Sequence, residues 1–99
     1  MSVSGTFDDS NPNWSEYDGQ NVMFLAACQQ HARDILFAKG FITLNEVYNM
    51  LGLEQTEEGA LSGWVGDAYL DFGVSGEIGG ESPIELTFNI NSTNVFRDK

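Results

Sequence analysis

The 99-residue chain holds one cysteine, two prolines and four basic residues, and each shortage removes a class of protein. A lone Cys28 cannot form an internal disulfide, so a secreted disulfide scaffold is excluded and nothing points to an oxidising compartment. No apolar run reaches the roughly 18 residues that span a bilayer, and the opening MSVSGTFDDSN has neither the basic n-region nor the apolar h-region of a secretory signal. The expectation is a complete, cytoplasmic chain that makes no membrane contact.

Positive charge is the sharpest shortage. Fifteen Asp and Glu stand against four Lys and Arg, for a formal net charge of −11. The bases are Arg33, Lys39, Arg97 and Lys99, which leaves residues 40 to 96 with nine acids and no base. A field of that sign repels nucleic acid and anionic lipid and draws basic proteins or cations. The same composition also serves plain solubility.

The length suits one domain, able to bury about 65% of its unfolded surface without staples. Residues 1–19 are rich in Ser, Asn, Asp and Gly and show no period, so they read as an irregular or flexible acidic arm docked at most through Phe7, Trp14 and Tyr17. From Gln20 to Lys39, Phe24, Leu25, Cys28, Ala32, Ile35 and Leu36 recur at helical spacing, with Asp18 or Asn21 as a starting cap and Gly40 as the stop. Thr43-Leu44-Asn45-Glu46 fits a capping box for a second helix, which Gly52 and Leu53 end in a Schellman turn. Thr56, Glu57 and Glu58 suit the start of a short helical turn limited by Gly59.

Beyond Gly63 the period becomes two. Ala68, Leu70, Phe72 and Val74 alternate with Tyr69, Asp71, Gly73 and Ser75, which predicts a strand joined to Trp64-Val65 by a Gly66-Asp67 hairpin turn. Ile84, Leu86, Phe88 and Ile90 predict a second strand, and Asn91 to Asn94 a turn into a short terminal strand at Val95-Phe96. The predicted fold is α+β: two N-terminal helices packed on a small antiparallel sheet of three to four strands, with residues 20–99 as the single domain.

Elements from Gly40 to Phe72 resemble a family of small phage and prophage proteins of unknown function. They are Gly40-Phe41, Leu44-Asn45, Leu51-Gly52-Leu53, Thr56, Gly59, Gly63-Trp64 and Leu70-Asp71-Phe72, with PIELTFNI similar to that family's closing strand. The resemblance implies a viral or mobile-element origin and transfers no catalytic residue.

Reactive constellations are sparse. Asp9-x-Asn11-x-Asn13 starts like a calcium loop, but Trp14 stands where the loop needs Gly and Gln20 where it needs Glu. Cys28 and His31 lie one helical turn apart without an orienting third group, and no spacing assembles a zinc set. Gly76-Glu77-Ile78-Gly79-Gly80 lacks the Lys and Ser/Thr of a phosphate cradle. No cofactor and no enzymatic activity are expected. The reading that remains is a non-catalytic accessory protein whose acidic surface binds a host protein with a basic surface, its carboxylates standing where phosphates would sit. An inhibitor of a nuclease or CRISPR-type defence complex is the concrete form, without direct nucleic-acid contact. The candidate contact residues are Glu54, Glu57, Glu58, Asp67, Asp71, Glu77 and Glu81, with Trp64 and Tyr69 as aromatic anchors. The alternative is a virion structural or assembly component that joins virion proteins through a sheet edge or its N-terminal arm.

Overall fold

The computed structural model describes residues 2–17, 19–75 and 83–99. In chain order it runs β1 (Val3–Phe7), α1 (Gln20–Lys39), β2 (Phe41–Thr43), α2 (Leu44–Leu51), a 3-10 turn at Glu58–Ala60, β3 (Gly63–Val65), β4 (Ile84–Phe88) and α3 (Val95–Asp98). The chain therefore mixes helix and sheet, but not as two leading helices followed by one sheet. Among the described residues, three helices are interleaved with two antiparallel sheets of two strands each, β1–β4 and β2–β3.

The first departure is at the N-terminus. Val3–Phe7, expected within an irregular arm, pairs with β4 from Val3↔Phe88 to Phe7↔Ile84. With one large apolar residue in VSGTF, the strand has no readable period; its pairing comes from the strand across from it. Phe7 then anchors the segment leading into α1, its ring 5.5 Å from that of Trp14 and 5.6 Å from that of Phe24. The calcium-like Asn residues have a structural task. The Asn11 and Asn13 amides donate to the Leu51 carbonyl oxygen at 3.0 and 3.1 Å, satisfying an orphan acceptor at the end of α2. Asn21 does not cap α1; it lies buried in the first turn, accepting from Ser15 N–H at 2.8 Å and donating to its carbonyl at 2.9 Å. Asp18 lies outside the described residues.

The local stop and start signals act as their chemistry requires. Gly40 takes a left-handed conformation and donates to the Leu36 carbonyl. Thr43 and Glu46 form the reciprocal capping box, at 3.1 Å from Glu46 N–H to the Thr43 hydroxyl and 2.8 Å from Thr43 N–H to Glu46 Oε2. Leu53 N–H reaches back to the Tyr48 carbonyl at 2.8 Å, the long bond of a Schellman ending. Thr56 Oγ1 accepts from Gly59 N–H at 2.9 Å.

The predicted hairpin between Trp64-Val65 and residues 68–74 does not form. Instead β3 pairs with β2, Phe41↔Val65 to Thr43↔Gly63, and a Cβ on Gly63 would overlap the Ile42 carbonyl oxygen. On its other side β3 is closed by Gly63 N–H donating to Ser92 O at 3.0 Å, while Asn91 accepts from Val65 N–H at 2.9 Å. Residues 71–75 follow the edge of β4 opposite β1: Thr87 N–H donates to Phe72 O at 2.8 Å, and Ser75 and Glu85 exchange bonds at 2.9 and 3.0 Å. The segment is no regular strand because Gly73 sits at φ 59°, its N–H held by Asp71 Oδ1. Leu70 and Phe72 nonetheless point inward as the alternation predicts. The terminal strand expected at Val95-Phe96 is a helix, capped by Asn94 Oδ1 accepting from Arg97 N–H at 3.1 Å.

Phe88 centres the core. The rings of Tyr48, Trp64 and Phe72 meet it edge-on at 5.7, 6.5 and 5.5 Å, joining α2, β3 and the 70–72 segment to β4. Such edge-to-face pairs add about 0.5–1.5 kcal/mol each beyond buried area.

Candidate interaction surface

The expected contact residues fall into two groups. Glu54, Glu57 and Glu58 are exposed on the connection from α2 through the 3-10 turn, and no cation approaches them among the described residues. Glu54 lines a shallow groove of about 220 Å³ with Tyr48, Leu53, Thr56 and the β1 residues Ser4, Gly5 and Thr6. That groove runs beside an open sheet edge. Since Glu85 and Thr87 turn their backbone groups to residues 72–75, Ile84, Leu86 and Phe88 bond to β1 through Phe7, Gly5 and Val3. The N–H and C=O groups of Ser4 and Thr6 consequently point outward, and no partner for them occurs among the described residues.

The second group flanks α1. Asp67 and Tyr69 line a cavity of about 310 Å³ together with Arg33, Leu36, Phe37 and Leu70. Arg33 closes one side, its guanidinium 4.5 Å from the Tyr69 ring centroid and its Nε donating to the Leu70 carbonyl at 2.8 Å. Asp71 is half-buried and turned to Gly73 N–H. Trp64 is no surface anchor: it is fully buried, with its indole N–H donating to Asn89 Oδ1 at 2.9 Å. Glu77 and Glu81 lie outside the described residues.

Among the described residues, ion pairs involve only Glu46 with Lys39 and Asp98 with Arg97, both at 2.9 Å. Burial works to raise the Glu46 pKa, but Thr43 N–H and the Lys39 ammonium outweigh it and hold the carboxyl below its ordinary range. Hydrogen bonds from Arg97 and Ser92 likewise lower Asp98. Cys28 and His31 do not join: the half-buried thiol points at the Met50 carbonyl, 3.9 Å away, and burial pushes its pKa up. No cluster of three or more His, Cys, Asp or Glu converges among the described residues, and no helix there is long and apolar enough to cross a membrane.

With this geometry the chain matches one family model over residues 3–96, that of DUF6353, described as a family of unknown function. The chain belongs to DUF6353. No curated protein and no solved structure matches it. The match begins at β1 and ends within α3, so the N-terminal strand that the sequence pattern left as an arm falls inside the family's extent. Sequence reasoning also missed Arg33 and Phe37 beside the cavity. The signal was present on α1 as a second apolar series, Met23, Ala27 and Phe37, on the side opposite the core stripe.

Proposed function

We propose that this DUF6353 chain is a non-catalytic acidic accessory protein of a phage or mobile element that binds a basic host protein. The observation that carries this reading is the set of exposed carboxylates at Glu54, Glu57 and Glu58, without an ion-pair partner among the described residues and in a region without a base. Unneutralised acids steer a cationic surface at long range and gain most where that surface normally grips phosphates. Blocking the nucleic-acid groove of a defence nuclease is the form of partner this chemistry fits. The test is capture from host lysate, identification of the partner, and titration with salt. A basic nucleic-acid-binding protein held at low salt, lost at high salt and lost on Glu54→Gln/Glu57→Gln/Glu58→Gln supports the proposal; affinity indifferent to the triple variant overturns it.

A second reading has its own observation, the open outer edge of β1. Ser4 and Thr6 present backbone donors and acceptors beside a groove, which is how a sheet edge joins a neighbouring chain in an assembly. A virion component working this way would be recovered with virion proteins, in a contact that survives high salt.

A further inference from the structure

α1 is apolar on two sides. Its inner stripe buries Leu25, Ala32 and Leu36, while Met23, Ala26, Ala27, Phe37 and Ala38 are exposed on the outer face. Phe37 is 93% and Met23 69% exposed, so among the described residues Phe37 packs on almost nothing and Met23 keeps most of its surface bare. Met23, Ala27, Gln30, Asp34 and Phe37 recur at spacings of four, three, four and three. That is the period of a seam between two helices, apolar at Met23, Ala27 and Phe37 and polar at its middle, where the Gln30 amide donates to Asp34 Oδ1 at 3.0 Å.

Charge decides what covers it. The chain carries −11, yet on α1 Arg33 balances Asp34 and Lys39 is paired with Glu46 of α2, so the acid excess lies elsewhere. A basic partner is drawn to that excess, whereas a second copy meets its own repulsion least across this helix. The face is also self-complementary. Met23 and Phe37 each lie seven residues from Gln30, so a twofold axis near Gln30 brings Met23 of each copy to Phe37 of the other, about 10 Å from the axis at 1.5 Å per residue. In that register Ala26 faces Asp34 and Ala27 faces Arg33 of the second copy, which sets small residues against long ones and opposes no like charges. The Met23 thioether meets an aromatic ring beside the Arg33–Tyr69 cavity, a favourable sulfur contact.

We propose that this chain forms an antiparallel homodimer through the outer face of α1, with Met23 and Phe37 exchanged across a twofold axis near Gln30. The contact does not depend on the acidic-partner reading. It spans about 21 Å of helix from Met23 to Phe37, a small interface that makes the dimer reversible and concentration-dependent. Sedimentation equilibrium of the whole chain should show the mass rising from 10.9 kDa toward twice that value with concentration. Added NaCl should strengthen association, because screening weakens repulsion between two acidic copies. Met23→Glu and Phe37→Glu should each weaken dimerisation at least tenfold while leaving the far-UV circular dichroism unchanged. In a Cys28→Ser background that keeps the wild-type dichroism, Gln30→Cys should oxidise to a covalent dimer far faster than Glu57→Cys. A monomer mass at every concentration, a dimer that survives both charged variants, or equal crosslinking by the two cysteines would overturn the proposal.

Discussion

Replacing Asn89 tests how the core and the surface loops are coupled. Asn89 Oδ1 accepts from the Trp64 indole N–H at 2.9 Å and from Asp71 N–H at 2.8 Å, while its amide donates to the Tyr69 carbonyl at 2.6 Å. One side chain thus fixes the largest buried ring and both ends of the Tyr69–Asp71 segment. In Asn89→Ala the Trp64 donor stays beside the core without an acceptor, at a cost of about 1–3 kcal/mol. The Asp71 and Tyr69 groups can turn to water, and losing those two bonds costs about 0.5 kcal/mol each. The total is about 2–4 kcal/mol, which for a chain of this size lowers Tm by on the order of 10–20 °C. Urea unfolding followed by tryptophan fluorescence and circular dichroism measures it, with an unchanged m-value as the sign that both states keep their compactness. Asn89→Asp retains both acceptor roles but turns a charge toward the Tyr69 carbonyl, so it should fall between wild type and Asn89→Ala. A loss below about 0.5 kcal/mol in Asn89→Ala, the range of ordinary surface changes, would show that water reaches the indole and refute the coupling.

Other perturbations discriminate as clearly. Glu54→Gln/Glu57→Gln/Glu58→Gln should leave stability within about 0.5 kcal/mol of wild type, since these exposed acids have no cation partner among the described residues, so any lost binding is a surface effect checked by parallel melts. Gly63→Ala should cost more than Gly66→Ala in chemical denaturation: a methyl at Gly63 overlaps the Ile42 carbonyl, while Gly66 at φ 69° has open space and bears only the left-handed backbone penalty of about 1–2 kcal/mol. Glu46 has a lowered folded pKa, so its contribution is fully present above the ordinary glutamate range and disappears as pH falls through the folded value. Wild type should therefore lose its advantage over Glu46→Gln on acidification, and an unchanged gap between neutral and acid pH would count against the charge-assisted bonds from Thr43 N–H and Lys39, since Gln also completes a capping box.

What was legible in the residues alone was the chemistry of short range. Gly40, Thr43, Glu46, Gly52 and Leu53 act within one or two turns of themselves, so their pattern suffices to place the end of α1 and both ends of α2. Pairing across the chain was not legible. Leu70 and Phe72 announce which side faces inward, but whether their segment pairs with β3 or β4 depends on Phe41–Thr43 occupying the edge of β3. β1 has one buried large residue, and α3 begins where Asn94 turns its side chain to Arg97 N–H instead of ending a hairpin. At the surface, Glu54, Glu57, Glu58 and Asp67 lie exposed as their charge requires, whereas Asp71 is half-buried and turned to Gly73 N–H. Trp64, named as a candidate anchor, went to the core, which is the commoner place for a tryptophan that suits both settings. Met23 and Phe37 were visible but overshadowed by Phe24, Leu25 and Leu36, whose stripe already accounted for a half-buried helix.

The two proposed contacts use different parts of the molecule and respond oppositely to ionic strength. The basic partner is attracted by carboxylates outside α1, so its association weakens as the Debye length contracts from about 30 Å at low salt to about 8 Å at physiological strength. The α1 contact is apolar and forms against the chain's own repulsion, so the same change strengthens it. A dimer joined along α1 keeps Glu54, Glu57 and Glu58 of both copies free, because these lie on the connection after α2 and not on the outer face of α1. It would then present two acidic surfaces on one particle, and a basic target with two grooves, or one long groove, would gain avidity without any new contact. Phe37→Glu separates these contributions: it should weaken binding to such an extended target while leaving affinity for a single groove unchanged. Equal loss on both targets would mean instead that the partner itself covers Phe37.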